Sequence, residues 1–347
     1  MGLFELMTPE GYEQVVFCHD RGSGLRSIIA IHDTTLGPAL GGVRMRPYAT
    51  EDEALEDCLR LARAMTYKAA SAGLHLGGAK SVIIGDPAKD KTEALIRAHG
   101  RFVKSLGGRY IPGLDVGTEP EDMRLMAREG ARVTCETGDP SIFTGKGVVA
   151  SIRAALRTAS GQDDLAGRTV TVQGVGHAGK WVVRLLRQAG ARVILADIDS
   201  ALAAAMARET GSEVVAPEDI LSTPADVFAP CALGDVIDEA SLPSLGPRVV
   251  VGAANNPLAP GMAPRLAEAG VLFVPDFMSN SAGLMRLEDI LNGRDEAFTD
   301  ERVEGLYRTV LEVLRRAAEE GRTTVEVAEA LAEERIAGVR GVGPAFV

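Results

Sequence analysis

Cysteine is scarce and scattered in this sequence. Cys18, Cys58, Cys135 and Cys231 stand tens of residues apart, so no C-x-x-C pair or Cys/His group has metal-ligand spacing. No metal site is expected, and the four thiols read as reduced and mostly buried. His19, His32, His75, His99 and His177 are equally dispersed. Basic excess is missing too: the formal net charge is −11, which argues against nucleic acid or an anionic membrane as partner and leaves small molecules or other proteins. No run approaches the ~18 apolar residues of a membrane span, and the start, MGLFELMTPEGYEQVVF, lacks the charged and apolar regions of a signal peptide. Position 6 is Leu6, where a myristoylation signal wants Ser or Thr. The cytoplasm is therefore the expected compartment. No fixed-period repeat is present.

What remains is ordinary globular material, 347 residues at 46% hydrophobic and 24% charged, enough for two domains with large cores. One stretch, GLHLGGAKSVII from 73 to 84, sets Lys80 beside glycines. A phosphate-cradling P-loop fails here, because Ala79 follows the second glycine and the turn leads into an expected strand, Ser81 to Ile84, rather than a helix. A solvated loop lysine is the plain alternative. Upstream, LRSIIAIHDT reads as a strand and TEDEALEDCLRLARAMTYKAASAG as a helix, with Leu55, Leu59, Ala62 and Met65 on one face. Downstream, TEALIRAHGRFVKSLGG reads as a helix closed by Gly107 and Gly108, before the strand-like RYIPGLDVGT. Lys68, Lys80 and Asp115 thus fall at or near the ends of elements, beside glycines.

The second part is an α/β pattern. RTVTVQGVGHAGKWVVRLLRQAGARVILADID is a strand, a glycine turn, a helix opening near His177, a turn at Gly190 and a second strand closing on Asp197. Gly174, Gly176 and Gly179, with Val175, His177 and Ala178 between them, spell the dinucleotide motif in its required setting. Asp197 lies 21 places after Gly176, and Ile198, Asp199 and Ser200 supply no arginine, so the ribose 2′-OH is accepted and a 2′-phosphate is not. NAD is favoured over NADP. Further apolar runs, EVVA, ADVFAPCAL, PRVVVGAANN and GVLFVPDF, continue a doubly wound Rossmann-type sheet.

The stretches GPALGGVRM, MTYKAASAGLHLGGAKSVIIGDP, GGRYIPGLDVGT, QGVGHAG, APCALGDVI and GAANNPL, in this order and spacing, resemble the Glu/Leu/Phe/Val dehydrogenases, most of all those acting on leucine. The resemblance implies an α/β fold of two domains: a substrate-binding and oligomerisation domain over 1–135, a Rossmann NAD-binding domain over 136–319, and a C-terminal helix, about 320–347, returning to the first. It implies NAD-dependent oxidative deamination of an L-amino acid to the 2-oxo acid and ammonia, and the reverse. Lys68 resembles the lysine that grips the substrate α-carboxylate, Lys80 the general base, and Asp115 its proton-transferring partner. An ammonium short of water and near a second ammonium has its charged form disfavoured, which suits a base. Gly41 and Gly42 resemble substrate-side positions, Cys231 and Ala232 cofactor-side ones. Asn255, Thr134 and Thr144 resemble residues placed near substrate or nicotinamide, against the plainer readings of turn asparagine and cap or loop threonines.

Glutamate enzymes of this family carry a lysine where this chain has Leu40, so an unpaired side-chain carboxylate would be rejected and an aliphatic substrate is expected: leucine, or valine or isoleucine. Gly113 resembles the phenylalanine-type enzymes and is read as leaving room, while Leu284 and Leu287 would take some back. Two further departures are Asn280-Ser281-Ala282-Gly283-Leu284, where an alanine replaces a usual glycine, and Asp139 where asparagine is usual. The alternatives are a phenylalanine-preferring enzyme and a catalytically weak regulatory subunit. A homo-oligomer is expected, or a hetero-oligomer with related dehydrogenases.

Overall fold

A computed structural model describes residues 2–136, 139–232 and 234–341. The chain forms two compact units, Met1–Asp139 with Ala332–Val347, and Pro140–Leu331. The first unit opens with α1 (Leu3–Met7), β1 (Gln14–Asp20), β2 (Leu25–Asp33), β3 (Ala39–Arg46) and α2 (Glu51–Ser71). It continues with β4 (Gly77–Ile84), α3 (Glu93–Ser105), β5 (Tyr110–Leu114) and α4 (Pro120–Arg128). Its five strands lie in the order β1-β2-β4-β3-β5. β1 and β4 run antiparallel to β2, while β3 is parallel to both β4 and β5.

Helix α2 starts where Thr50 accepts the Glu53 N–H at 3.1 Å, with Glu51, Asp52 and Glu53 in the first turn matching the helix dipole. Its apolar stripe, Ala54, Leu55, Cys58, Leu59 and Ala62, packs on Ile28, Ala30 and Val82 of the sheet. Each large side chain so buried contributes roughly 1.5 to 3 kcal/mol.

Lys80 is a strand residue, not the turn residue that its glycine neighbours suggest. Strand β4 begins at Gly77, so Lys80 lies inside it, and the residue is only 6% exposed. The glycines ahead of it permit close packing rather than a turn. A Cβ on Gly77 would stand 2.0 Å from the Asp33 carbonyl oxygen, and one on Gly78 2.1 Å from the Thr66 nitrogen on α2.

The second unit contains α5 (Ser141–Ser160), β6 (Thr169–Gln173), α6 (Gly179–Gln188), β7 (Arg192–Ala196), α7 (Ser200–Thr210), β8 (Glu213–Val214) and β9 (Val227–Pro230). It goes on through β10 (Val249–Val250), α8 (Met262–Glu268), β11 (Leu272–Phe273), α9 (Asp276–Ser279), α10 (Ala282–Leu291), α11 (Glu296–Glu320) and the start of α12 (Thr324–Arg340). The sheet, in the order β11-β10-β9-β6-β7-β8, is parallel throughout. Strand order reverses between β6 and β9, and such a switch point opens a crevice beyond the strand ends.

Helix α12 opens on a capping box. Thr323 N–H donates to Glu326 Oε2 at 2.8 Å and Glu326 N–H returns to Thr323 Oγ1 at 3.2 Å. Its last turns belong to the first unit, where Tyr67 donates to Glu333 at 2.8 Å and Arg335 to the Ala70 carbonyl at 3.0 Å. Residues 342–347 lie outside the described residues. Among the described residues no helix is long and apolar enough to cross a membrane.

Candidate active site

Alternation along β3 puts Leu40, Gly42 and Arg44 on one face of the first sheet. The register Leu40↔Gly78 and Leu40↔Ile111 brings Gly78 and Lys80 of β4, and Ile111 and Gly113 of β5, to that same face. Asp115 follows β5 directly. Its Oδ2 pairs with the Lys80 ammonium and accepts from Arg44 Nε at 3.0 Å. Arg44 also donates to Asp57 Oδ2 at 2.9 Å, which Tyr48 reaches at 2.8 Å. Burial pushes the Asp115 carboxyl up, but Lys80 and Arg44 outweigh it and hold its pKa down at about 2. The site's carboxylate is thus ionised at neutral pH.

Gly42 is built into this pair. A Cβ there would meet the Leu114 carbonyl oxygen at 2.7 Å, Asp115 Cβ at 2.8 Å and Lys80 Nζ at 3.1 Å. At Gly41 it would stand 1.6 Å from the Ala79 carbonyl oxygen. Leu40 is 2% exposed. The room that Gly113 was read as leaving is taken up: Thr134 Oγ1 would stand 2.8 Å from a Cβ at Gly113. Thr134 is buried, and its hydroxyl donates to the Pro112 carbonyl at 3.1 Å, so it is anchored there rather than serving as a helix cap. Lys68 lies in the last turn of α2, two residues past the Thr66 that packs on Gly78.

In the second unit the glycine turn separates into two kinds of position. Gly174 has φ +90°, and a Cβ on it would lie 2.6 Å from Ala232 Cβ. At Gly179, the first residue of α6, a Cβ would lie 2.0 Å from the Gly174 carbonyl oxygen and 3.2 Å from Cys231 Cβ. The protein itself requires both glycines. A Cβ on Gly176 would meet no atom within 4 Å, and the open space on that side is what a pyrophosphate needs to reach the backbone. Val175 is buried, whereas His177 is exposed. Asp197, just past β7, accepts Val175 N–H at 2.8 Å and Asp199 N–H at 2.9 Å, one on each oxygen. These bonds aim the carboxylate and leave lone pairs for a ribose. Ile198 beside it is 92% exposed. The residues present fit a dinucleotide.

Asn255 is exposed and accepts Asn280 Nδ2 at 2.9 Å. Asn280 is 3% exposed and its Oδ1 has no partner among the described residues. Thr144, on α5, faces α10: a Cβ on Gly283 would stand 2.5 Å from its hydroxyl oxygen. The alanine at 282 does not point into open space. It is fully buried against α5, at a site where only a glycine, Gly147, leaves its methyl room. Leu284 is buried and Leu287 half-buried, both in the second unit, while Leu40 and Gly113 belong to the first. No sequence motif singles out Arg44, although its alternation with Gly42 places it on the face of Lys80. Among the described residues no group of three or more His, Cys, Asp or Glu could hold a metal ion.

A buried lysine–carboxylate pair in one α/β unit, joined in the same chain to a Rossmann-type dinucleotide turn, defines a nucleotide-dependent oxidoreductase. The family model described as Glu/Leu/Phe/Val dehydrogenase, dimerisation domain, matches residues 12–132, and that for Glutamate/Leucine/Phenylalanine/Valine dehydrogenase matches 139–204 and 199–340. The chain belongs to this family and is an amino-acid dehydrogenase. It is 44% identical to a leucine dehydrogenase of Geobacillus stearothermophilus, covering 100% of this chain and 96% of the relative. It is 44% identical to a valine dehydrogenase of Streptomyces albus, over 95% and 93%. The crystal structure of L-tryptophan dehydrogenase from Nostoc punctiforme superposes with TM-score 0.87 at 41% identity, covering 98% of this chain and 100% of that one. Leucine dehydrogenases of the family use NAD, and the turn at Gly174 to Gly179 suits it.

Proposed function

We propose that this chain deaminates an aliphatic L-amino acid, leucine or its branched neighbours valine and isoleucine, to the 2-oxo acid and ammonia, and runs the reverse amination. The observation that carries the reading is Leu40, apolar and 2% exposed on the sheet face that bears the Lys80–Asp115 pair. NAD, held by the turn at Gly174 to Gly179 and by Asp197, supplies the acceptor for the hydride leaving Cα. Lys68 holds the substrate carboxylate. Lys80, once its own proton has passed to the paired Asp115 carboxylate, takes a proton from the water that adds to the iminium carbon, and Asp115 gives the proton it received to the departing ammonia. The four cysteines are free, which fits a reducing compartment such as the cytoplasm. An aromatic substrate is the second reading, favoured by the likeness to a tryptophan dehydrogenase.

The test is direct. The purified chain is mixed with NAD or NADP and a panel of L-amino acids while NADH or NADPH absorbance is followed. Leucine, valine and isoleucine turn over with NAD, and glutamate lags by about 1,000-fold, the equivalent of about 4 kcal/mol for an unpaired buried carboxylate. Leu40→Lys abolishes leucine turnover by burying an ammonium against an apolar side chain. No turnover with any amino acid supports the inert-subunit alternative, and leucine kinetics untouched by Leu40→Lys remove the basis for excluding glutamate.

A further inference from the structure

On the opposite face of the first sheet lies a closed line of polar side chains that no step above uses. Ser27 Oγ meets His99 Nδ1 at 3.1 Å, His99 Nε2 meets Ser81 Oγ at 3.1 Å, Ser81 Oγ meets Tyr110 Oη at 3.0 Å, and Tyr110 donates to the Gly41 carbonyl at 3.0 Å. All four side chains are buried: Ser27 3%, His99 0%, Ser81 0% and Tyr110 1% exposed. One acceptor sets the direction of the whole line. A carbonyl can only accept, so the single Tyr110 proton points at Gly41. Ser81 must then give its proton to Tyr110, and His99 must donate Nε2–H to Ser81. Burial pushes the His99 pKa down to about 4, so the ring is neutral at pH 7, and with Nε2 fixed as the donor only the one tautomer fits, its bare Nδ1 accepting from Ser27.

Two points of the line, Ser81 and the Gly41 carbonyl, adjoin the catalytic pair. Ser81 follows Lys80 in β4. The Gly41–Gly42 peptide is trans and planar, so fixing its carbonyl fixes the Gly42 N–H on its other edge, and Gly42 is the residue packed against Lys80 Nζ and Asp115. We propose that Tyr110, Ser81 and His99 are positioning residues: a one-way hydrogen-bond relay, oriented by the Gly41 carbonyl, that holds the Gly41–Gly42 backbone and the Lys80 segment in register for the amino-acid substrate. The relay acts through the backbone and touches no reacting atom. This rests on the assignment of Lys80 and Asp115 above.

Two measurements test it and separate its failure from that of the assignment. Nitrogen NMR of histidine-labelled full-length protein at pH 7 reads the tautomer without turnover. His99 is Nε2–H in the parent chain. In Tyr110→Phe, which removes only a hydroxyl, Ser81 loses its acceptor and turns its proton to His99, so the Nδ1–H form appears. In the NADH assay Tyr110→Phe and Ser81→Ala each raise KM for the amino acid about ten-fold with KM for NAD unchanged, the double variant is no worse than either, and His99→Gln, whose amide both donates and accepts, keeps the parent KM while His99→Leu does not. An Nδ1–H imidazole in the parent overturns the relay. Variants that lower only the melting temperature, with amino-acid KM unmoved, overturn its positioning role. A parent that shows the tautomer but turns over no amino acid overturns the positioning role along with the proposed function.

Discussion

Asp115 faces two cations, Lys80 and Arg44, and this decides its behaviour with pH. Its folded pKa of about 2 lies below the ordinary aspartate value of 3.8, so the carboxylate stabilises the fold above pH ~4 and the contribution is lost as pH falls from there towards 2. About 2 kcal/mol is at stake. Asp115→Asn should therefore lower the unfolding free energy at pH 7 by that order, since it also leaves the Lys80 ammonium without its counter-charge. The gap between variant and parent should close as pH approaches 2, read by urea titration at each pH. Turnover of the variant should fall roughly 100- to 10,000-fold, the usual worth of a proton-transfer group. A pH-independent stability gap would mean that the pairing with Lys80 and Arg44 does not govern Asp115. At this scale much of the site was legible: Lys80, Asp115 and Gly42 stand in quoted motifs. Arg44 was not, because a strand arginine two residues past a glycine looks like any solvated edge residue until its partners Asp57 and Asp115 converge on it from distant parts of the chain.

At the scale of elements the glycine turn between β6 and α6 yields a paired expectation. Gly179→Ala sets a methyl 2.0 Å from the Gly174 carbonyl oxygen, so the helix must move off the strand. The melting temperature should fall by several degrees and NAD binding should be lost with it. Gly176→Ala meets no protein atom within 4 Å. Its melting temperature should match the parent while NAD affinity drops ten-fold or more, measured by calorimetric titration. Equal NAD affinity in Gly176→Ala would show that the cofactor does not approach this backbone. The motif itself was readable because its flanking strand and helix are local. Strand β4 was read too short, since Gly77 and Gly78 look like a turn in sequence. Their extended conformation is imposed by pairing with Ala39 and Leu40 and by the approach of α2.

For the molecule as a whole, association through the first unit is expected. The family description of residues 12–132 as a dimerisation domain motivates this. So do the large apolar side chains that this unit leaves in water, Phe4 at 78%, Phe17 at 57% and Val116 at 58% exposure. Light scattering of the purified chain should give at least twice the 36.5 kDa of one copy, and a mass of one copy would refute the oligomer. The departure at 282 also belongs to this scale. Ala282 is absorbed by Gly147 of α5, an accommodation between helices more than 100 residues apart that no local pattern announces.

The sequence alone determined the α/β class, the dinucleotide turn and its preference for a free 2′-OH, and the amino-acid dehydrogenase family. Each depends on short-range spacing: alternation along strands, glycines three and five places apart, a carboxylate at the end of the next strand. The tertiary structure decided the rest. It placed Arg44 on Asp115, filled the space beside Gly113 with Thr134, and drew Ser27, Ser81, His99 and Tyr110 into one directed line. Those contacts join residues that only sheet pairing and helix packing bring within about 3 Å, the range in which hydrogen bonds and ion pairs act.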